Sequence, residues 1–169
     1  MKKCMLALFV LAFTIQFTAQ VFAGPNEDVQ AAMQLLKSKA AKLGAPNING
    51  EEAVAGKVLP ALHFGATKMN NNFILVDEVQ KEMGGTATIF VKSGDEFVRV
   101  ATNVKKDDGS RAIGTLLDPK GKAIAALAKG ESYFGEADIL GKPYVTGYEP
   151  IRDASNNIIG IYYVGYLRN

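Results

Sequence analysis

The chain has 169 residues, 48% of them apolar and 21% charged, with one cysteine and no tryptophan, which describes an ordinary single globular domain. Its formal charge of +2 resides in Lys2 and Lys3. The rest of the chain is balanced and offers no basic footprint for nucleic acid.

Residues 1–23 read as a secretory leader. Lys2 and Lys3 give the positive start, residues 5–13 an apolar core, and Val21, Phe22 and Ala23 a small-residue cleavage site before Gly24. The alternative, an uncleaved anchor, is served less well, because the apolar run is short and Thr14, Gln16, Thr18 and Gln20 break the hydrophobicity beyond it. Cleavage would also remove Cys4, leaving a periplasmic or secreted domain over residues 24–169 with no disulfide, thiolate metal site, cysteine nucleophile or haem attachment.

The domain should open with a helix capped by Asn26, with Glu27 and Asp28 in its first turn and Gly44 at its end. Val29, Ala32, Met33, Leu36, Ala40 and Leu43 form its apolar stripe, which is Ala-rich and lacks the aromatic anchors of a membrane-surface helix. Pro46, Asn47, Asn49 and Gly50 read as a loop, and residues 57–64 as a short strand that Pro60 demotes to an edge or irregular position. Asn70, Asn71 and Asn72 read as a solvated turn or, more sharply, as amides facing a ligand. Residues 76–83 suit a short helix closed by Gly84 and Gly85.

Strands dominate from Thr86 onward. Residues 86–92 and 96–103 form a hairpin about Gly94-Asp95, a charged loop follows over 104–111, and an Ala-rich helix occupies 120–129. Strands are then expected at 131–138 and on either side of a polar turn at 153–157. The sum is an α+β domain: a five-stranded antiparallel sheet, with the N-terminal helix and a helical crossover on one side.

Five runs carry a family resemblance: GTATIFV from Gly85, FVRVATNV from Phe97, DGSRAIGT from Asp108, YVTGYEPI from Tyr144 and IGIYYVG from Ile159. Together they resemble single Cache domains, in particular the Cache three/Cache two fusion subfamily, the PAS-like extracytoplasmic sensing module of bacterial chemoreceptors and sensor kinases. The resemblance implies a PAS-like sheet whose concave side encloses a small-molecule cavity, and ligands that are often small organic acids. No transmembrane helix or signalling module follows in this sequence. The expectation is therefore a stand-alone sensor for signal transduction or chemotaxis, acting with a membrane receptor or sensor kinase and compatible with a homodimer.

A carboxylate ligand calls for paired donors, and arginine is the geometric match. Arg99 sits mid-strand on the face expected to carry Phe97, Ala101 and Asn103. Strand pattern alone leaves it either in a cavity or on a solvated face, and the resemblance favours the cavity. Tyr133, Tyr144 and Tyr148 would form walls with hydroxyl donors, or would be packed core aromatics. Arg111 or Asn71 would supply a lid contact, and Lys142 is expected in solvent.

Enzymatic chemistry finds little support. His63 is the single histidine, no nucleophile pairs with it, and no nucleophile elbow, phosphate loop or calcium loop is present. No catalytic residue, metal ligand or cofactor is assigned. A different class of function also fits, that of a ligand-free module docking on a membrane receptor through its N-terminal helix.

Overall fold

The computed structural model describes residues 25–168. The leader and its cleavage site lie outside the described residues. Helix α1 (Pro25–Leu43) begins one residue ahead of the expected cap Asn26, at a proline, the residue type suited to a first helical position. Val29, Ala32, Met33, Leu36 and Ala40 are buried as the stripe required, whereas Leu43 is 39% exposed.

Next come β1 (Pro46–Val54), β2 (Lys57–Phe64) and the short β3 (Thr67–Lys68), which form a small antiparallel sheet in the order β1-β2-β3. The expected loop at Pro46 is thus a strand. Its turn-like Asn49 and Gly50 are absorbed by an irregularity in the pairing between Ile48 and Glu51, and its exposed face carries no apolar period. Residues 57–64 are the central strand, not an edge. Where regular pairing runs out along β2, the buried Asn70 substitutes for a neighbour: its Oδ1 accepts from Leu62 N at 2.9 Å and its Nδ2 donates to Pro60 O at 3.1 Å.

Helix α2 (Ile74–Met83) leads into β4 (Thr86–Ser93) and β5 (Glu96–Thr102). After the short α3 (Lys122–Leu127) come β6 (Tyr133–Ile139), β7 (Lys142–Arg152) and β8 (Ile158–Leu167). These strands form one antiparallel sheet in the order β5-β4-β8-β7-β6. The α+β class and the five-stranded PAS-like sheet are as the sequence indicated.

Strand alternation sorts the core into two layers. Ala87, Ile89, Val91, Tyr162 and Val164 face α1, α2 and β2, where Phe64 stacks on Tyr162 with ring centroids 5.8 Å apart. Phe90, Tyr148, Ile161 and Tyr163 face the other way, onto Ala123 and Leu127 of α3. The crossover helix therefore lies on the sheet face opposite α1, not beside it. The apolar faces of β4 and β8 explain this, since both central strands must be covered on two sides.

Candidate functional site

The site is built around a register shift in β5. Ile89 pairs with Ala101 but Phe90 with Arg99, so Val100 is an extra residue. Such a bulge rotates the chain. Val100 and Ala101 both join the α1 layer, while Arg99 and Phe97 turn to the α3 side. Ala101 and Asn103 consequently do not share the face of Arg99. Asn103 instead accepts from Ala87 N and donates to Val76 O of α2.

Arg99 is 4% exposed. Residues 112–117 run along the outer edge of β5 as a strap: Arg99 N donates to Thr115 O at 2.9 Å, Gly114 N to Arg99 O at 2.8 Å, and Leu117 N to Phe97 O at 2.9 Å. The same strap holds the guanidinium. Nη1 donates to Thr115 Oγ1 at 2.8 Å and to Leu116 O at 2.9 Å, and Thr115 Oγ1 donates onward to Ala112 O. Cζ lies 4.9 Å from the centroid of the Phe90 ring, a cation–π arrangement. Both Nη1 hydrogens are thereby used. Nε is buried with no partner, Nη2 makes no hydrogen bond, and no carboxylate forms an ion pair with Arg99 among the described residues.

Burial lowers the Arg99 pKa, against the opposing influence of Tyr148 and Tyr163. A guanidinium does not lose its proton in proteins, so the charge stays. A buried cation without a counter-ion is a costly arrangement, and it favours an anion brought from outside.

Space for one adjoins it. A cavity of about 370 Å³ is lined by Arg99, Tyr148, Leu117, Ala123, Ile139 and Asp118, among others. That is within the roughly 300–1,000 Å³ usual for small-molecule sites. Tyr148 is 1% exposed, its ring tilted against Tyr163 at 4.9 Å and Tyr133 at 6.2 Å. Burial raises its pKa far above the ordinary tyrosine value, so its hydroxyl is a neutral donor, and it has no hydrogen-bond partner among the described residues. Tyr163, by contrast, has its hydroxyl 3.2 Å from Thr86 Oγ1.

The structure thus brings Arg99 and Tyr148 together and sets the other sequence-derived residues apart from the cavity lining. Tyr133 packs behind Tyr148 and donates its hydroxyl to Glu136 O at 2.7 Å. Tyr144 is half-buried and packs against the same layer. Arg111 is not a lid. Its Nη1 and Nη2 clasp the two oxygens of Asp77 at 2.7 and 2.8 Å, and its Cζ lies 4.4 Å from the Phe73 ring centroid. Asn71 is not a lid either, since its amide donates to Ala53 O at 2.9 Å. His63 places Nδ1 3.0 Å from Ala61 O, and Lys142 is exposed. Sequence reasoning does not single out Thr115, Phe90 or Asp118. Phe90 is within its reach, as the residue alternating with Ile89 and Val91, but Thr115 and Asp118 stand in loops without period.

No helix among the described residues is long and apolar enough to cross a membrane. No curated protein matches the chain. The model of the Cache 3/Cache 2 fusion domain matches residues 16–169. Cache domains are extracellular sensors of small molecules, usually set in receptors and in general without enzymatic activity. From residue 16 to its last residue, then, the chain belongs to the Cache 3/Cache 2 fusion domain family.

Proposed function

We propose that this Cache domain is exported by its N-terminal leader and binds a small organic acid, of the acetate, propionate or pyruvate class, with Arg99 as the anion clamp. It passes its state to a separate membrane receptor or sensor kinase. One observation carries this reading: a buried guanidinium beside a cavity, fixed through Nη1 alone and lacking a counter-ion among the described residues. A carboxylate at that position would gain charge-assisted hydrogen bonds from donors already oriented by the strap, with Tyr148 adding a neutral hydroxyl. The apolar faces of Leu117, Ala123 and Ile139 would hold a short carbon chain.

The docking alternative draws less support, because the apolar stripe of α1 is largely buried against its own domain. Thermal denaturation with a panel of short-chain acids separates the two. Ligands that bind the folded state raise the melting temperature by mass action, so at least one acid should stabilise the wild type and fail to stabilise Arg99→Met. Indifference of the wild type to every acid would favour docking. Recovery of a membrane-retained, uncleaved product would contradict the leader.

A further inference from the structure

The cavity has two chemically different ends. Its buried end carries the Arg99 guanidinium and the unpartnered Tyr148 hydroxyl, and its open end carries exposed charged groups. We propose, resting on the carboxylate reading above, that the ligand is an amino-carboxylate, its carboxylate on Arg99 and Tyr148 and its ammonium on Asp118.

The size of the cavity points the same way. Its 370 Å³ is far more than a two- or three-carbon acid fills, and such a ligand would leave the open end to water. Asp118 stands where a second group on a longer ligand would arrive. It lines the same cavity, and its Oδ1 accepts from Lys120 N at 2.9 Å. Its chain is further fixed by the bond from Gly121 N to Asp118 O at 3.2 Å. Oδ2 makes no hydrogen bond among the described residues and is left to accept from a ligand.

The other acidic groups at this end are already engaged. Glu136 is paired with Arg168, and Asp138 accepts from Gly141 N at 2.7 Å. Lys120 and Lys122 also line the opening and would suit a second carboxylate. Both, however, have long side chains that lose rotamer freedom on binding. Asp118 is short and already pinned. A preorganised partner contributes more to affinity than one that must first be ordered, which favours a cation over a second anion at this end.

A matched set of five-carbon ligands tests the assignment by titration calorimetry on the purified protein: pentanoate, 5-aminopentanoate, norvaline and glutarate. At least one of the two amino acids should bind about tenfold tighter than pentanoate and glutarate. Asp118→Asn should bring that amino acid down to the level of pentanoate, while Asp138→Asn should keep the preference. Pentanoate or glutarate binding as tightly as both amino acids overturns the proposal and leaves the carboxylate site standing. A preference that survives Asp118→Asn overturns it too. Should none of the set bind the wild type, this proposal falls, and acetate, propionate and pyruvate then decide whether the carboxylate site falls with it.

Discussion

Arg99 and Thr115 form the contact on which the site turns: Nη1 of the arginine donates to the threonine hydroxyl at 2.8 Å, and that hydroxyl donates to Ala112 O at 2.7 Å. The hydroxyl fixes one end of the guanidinium and leaves the other without partners. Thr115→Val keeps the shape and removes the acceptor. It should cost about 1.5–3 kcal/mol of stability, the range for a hydrogen bond to a charged group, and should weaken binding of whichever acid stabilises the wild type. Thr115→Ser should restore both. Chemical denaturation measures the first effect and titration calorimetry the second. A valine variant with unchanged affinity would show that Leu116 O alone positions the arginine.

Arg99 is expected to oppose stability in the absence of a ligand. Its charge is buried without a carboxylate partner among the described residues, and replacing poorly compensated buried charges by apolar groups of similar volume is often neutral or stabilising, by roughly 1–4 kcal/mol. Arg99→Met should therefore unfold at an equal or higher denaturant concentration than the wild type while losing all stabilisation by acids. A loss of several kcal/mol in ligand-free protein would instead make Arg99 a structural residue of the strap.

The contrast between Arg99 and Arg111 shows what the sequence could convey. Both arginines precede small or apolar residues, and nothing local tells them apart. Arg111 meets its partner Asp77 across 34 positions of chain, and Arg99 meets none among the described residues. Pairing of that kind is decided by tertiary structure. The strands were legible because β4, β7 and β8 repeat apolar and β-branched residues with the period of a pleated sheet. The strand β1 was not, because most of its residues face solvent. The Val100 bulge was also illegible: VRVA reads as clean alternation, and only pairing with β4 shows one residue too many. Alternation therefore gives the face of Arg99 correctly relative to Phe97 and wrongly relative to Ala101.

Gly160 is the tightest point between β4 and β8. A Cβ there would lie 2.3 Å from the carbonyl oxygen of Phe90, a backbone atom within the sheet, and 3.3 Å from Ile151 Cδ1. The strands cannot yield without moving Phe90, on whose ring Arg99 rests. Gly160→Ala should cost roughly 1–3 kcal/mol by overpacking and lower acid affinity as well. A thermal melt that shows no change would mean that β8 shifts freely at this position.

Arg111 ties the start of the strap to α2 through its two-pronged contact with Asp77. Both side chains are part-exposed, at 27% and 42%, so solvent screening holds the gain to about 1 kcal/mol or less. Lysine cannot reproduce the fork or lie as a plane over Phe73. Arg111→Lys should lose most of the stabilisation that Arg111→Ala loses. Neither variant should abolish the response to acids, because Arg111 does not line the cavity. An Arg111→Ala protein that folds normally and no longer responds to any acid would return this residue to the binding site.

Acid pH should act first on the turns. The backbone N–H of Asn157, followed by its side-chain amide, holds Asp153 below the usual carboxylate range, and the Ser110 hydroxyl and N–H do the same for Asp108. A carboxylate with a depressed folded pKa stabilises the protein above its unfolded value near 3.8, and that contribution is lost as pH falls through the folded value. Asp153 joins β7 to β8, accepting from Ser155 N and Asn157 N at 2.9 Å each, so protonation loosens the hairpin beside the central strand. Asp153→Asn keeps an accepting oxygen and cannot titrate. Denaturation midpoints at about pH 5 and about pH 3 should fall less between the two conditions for this variant than for the wild type. An identical fall in both would place the acid sensitivity of the fold elsewhere.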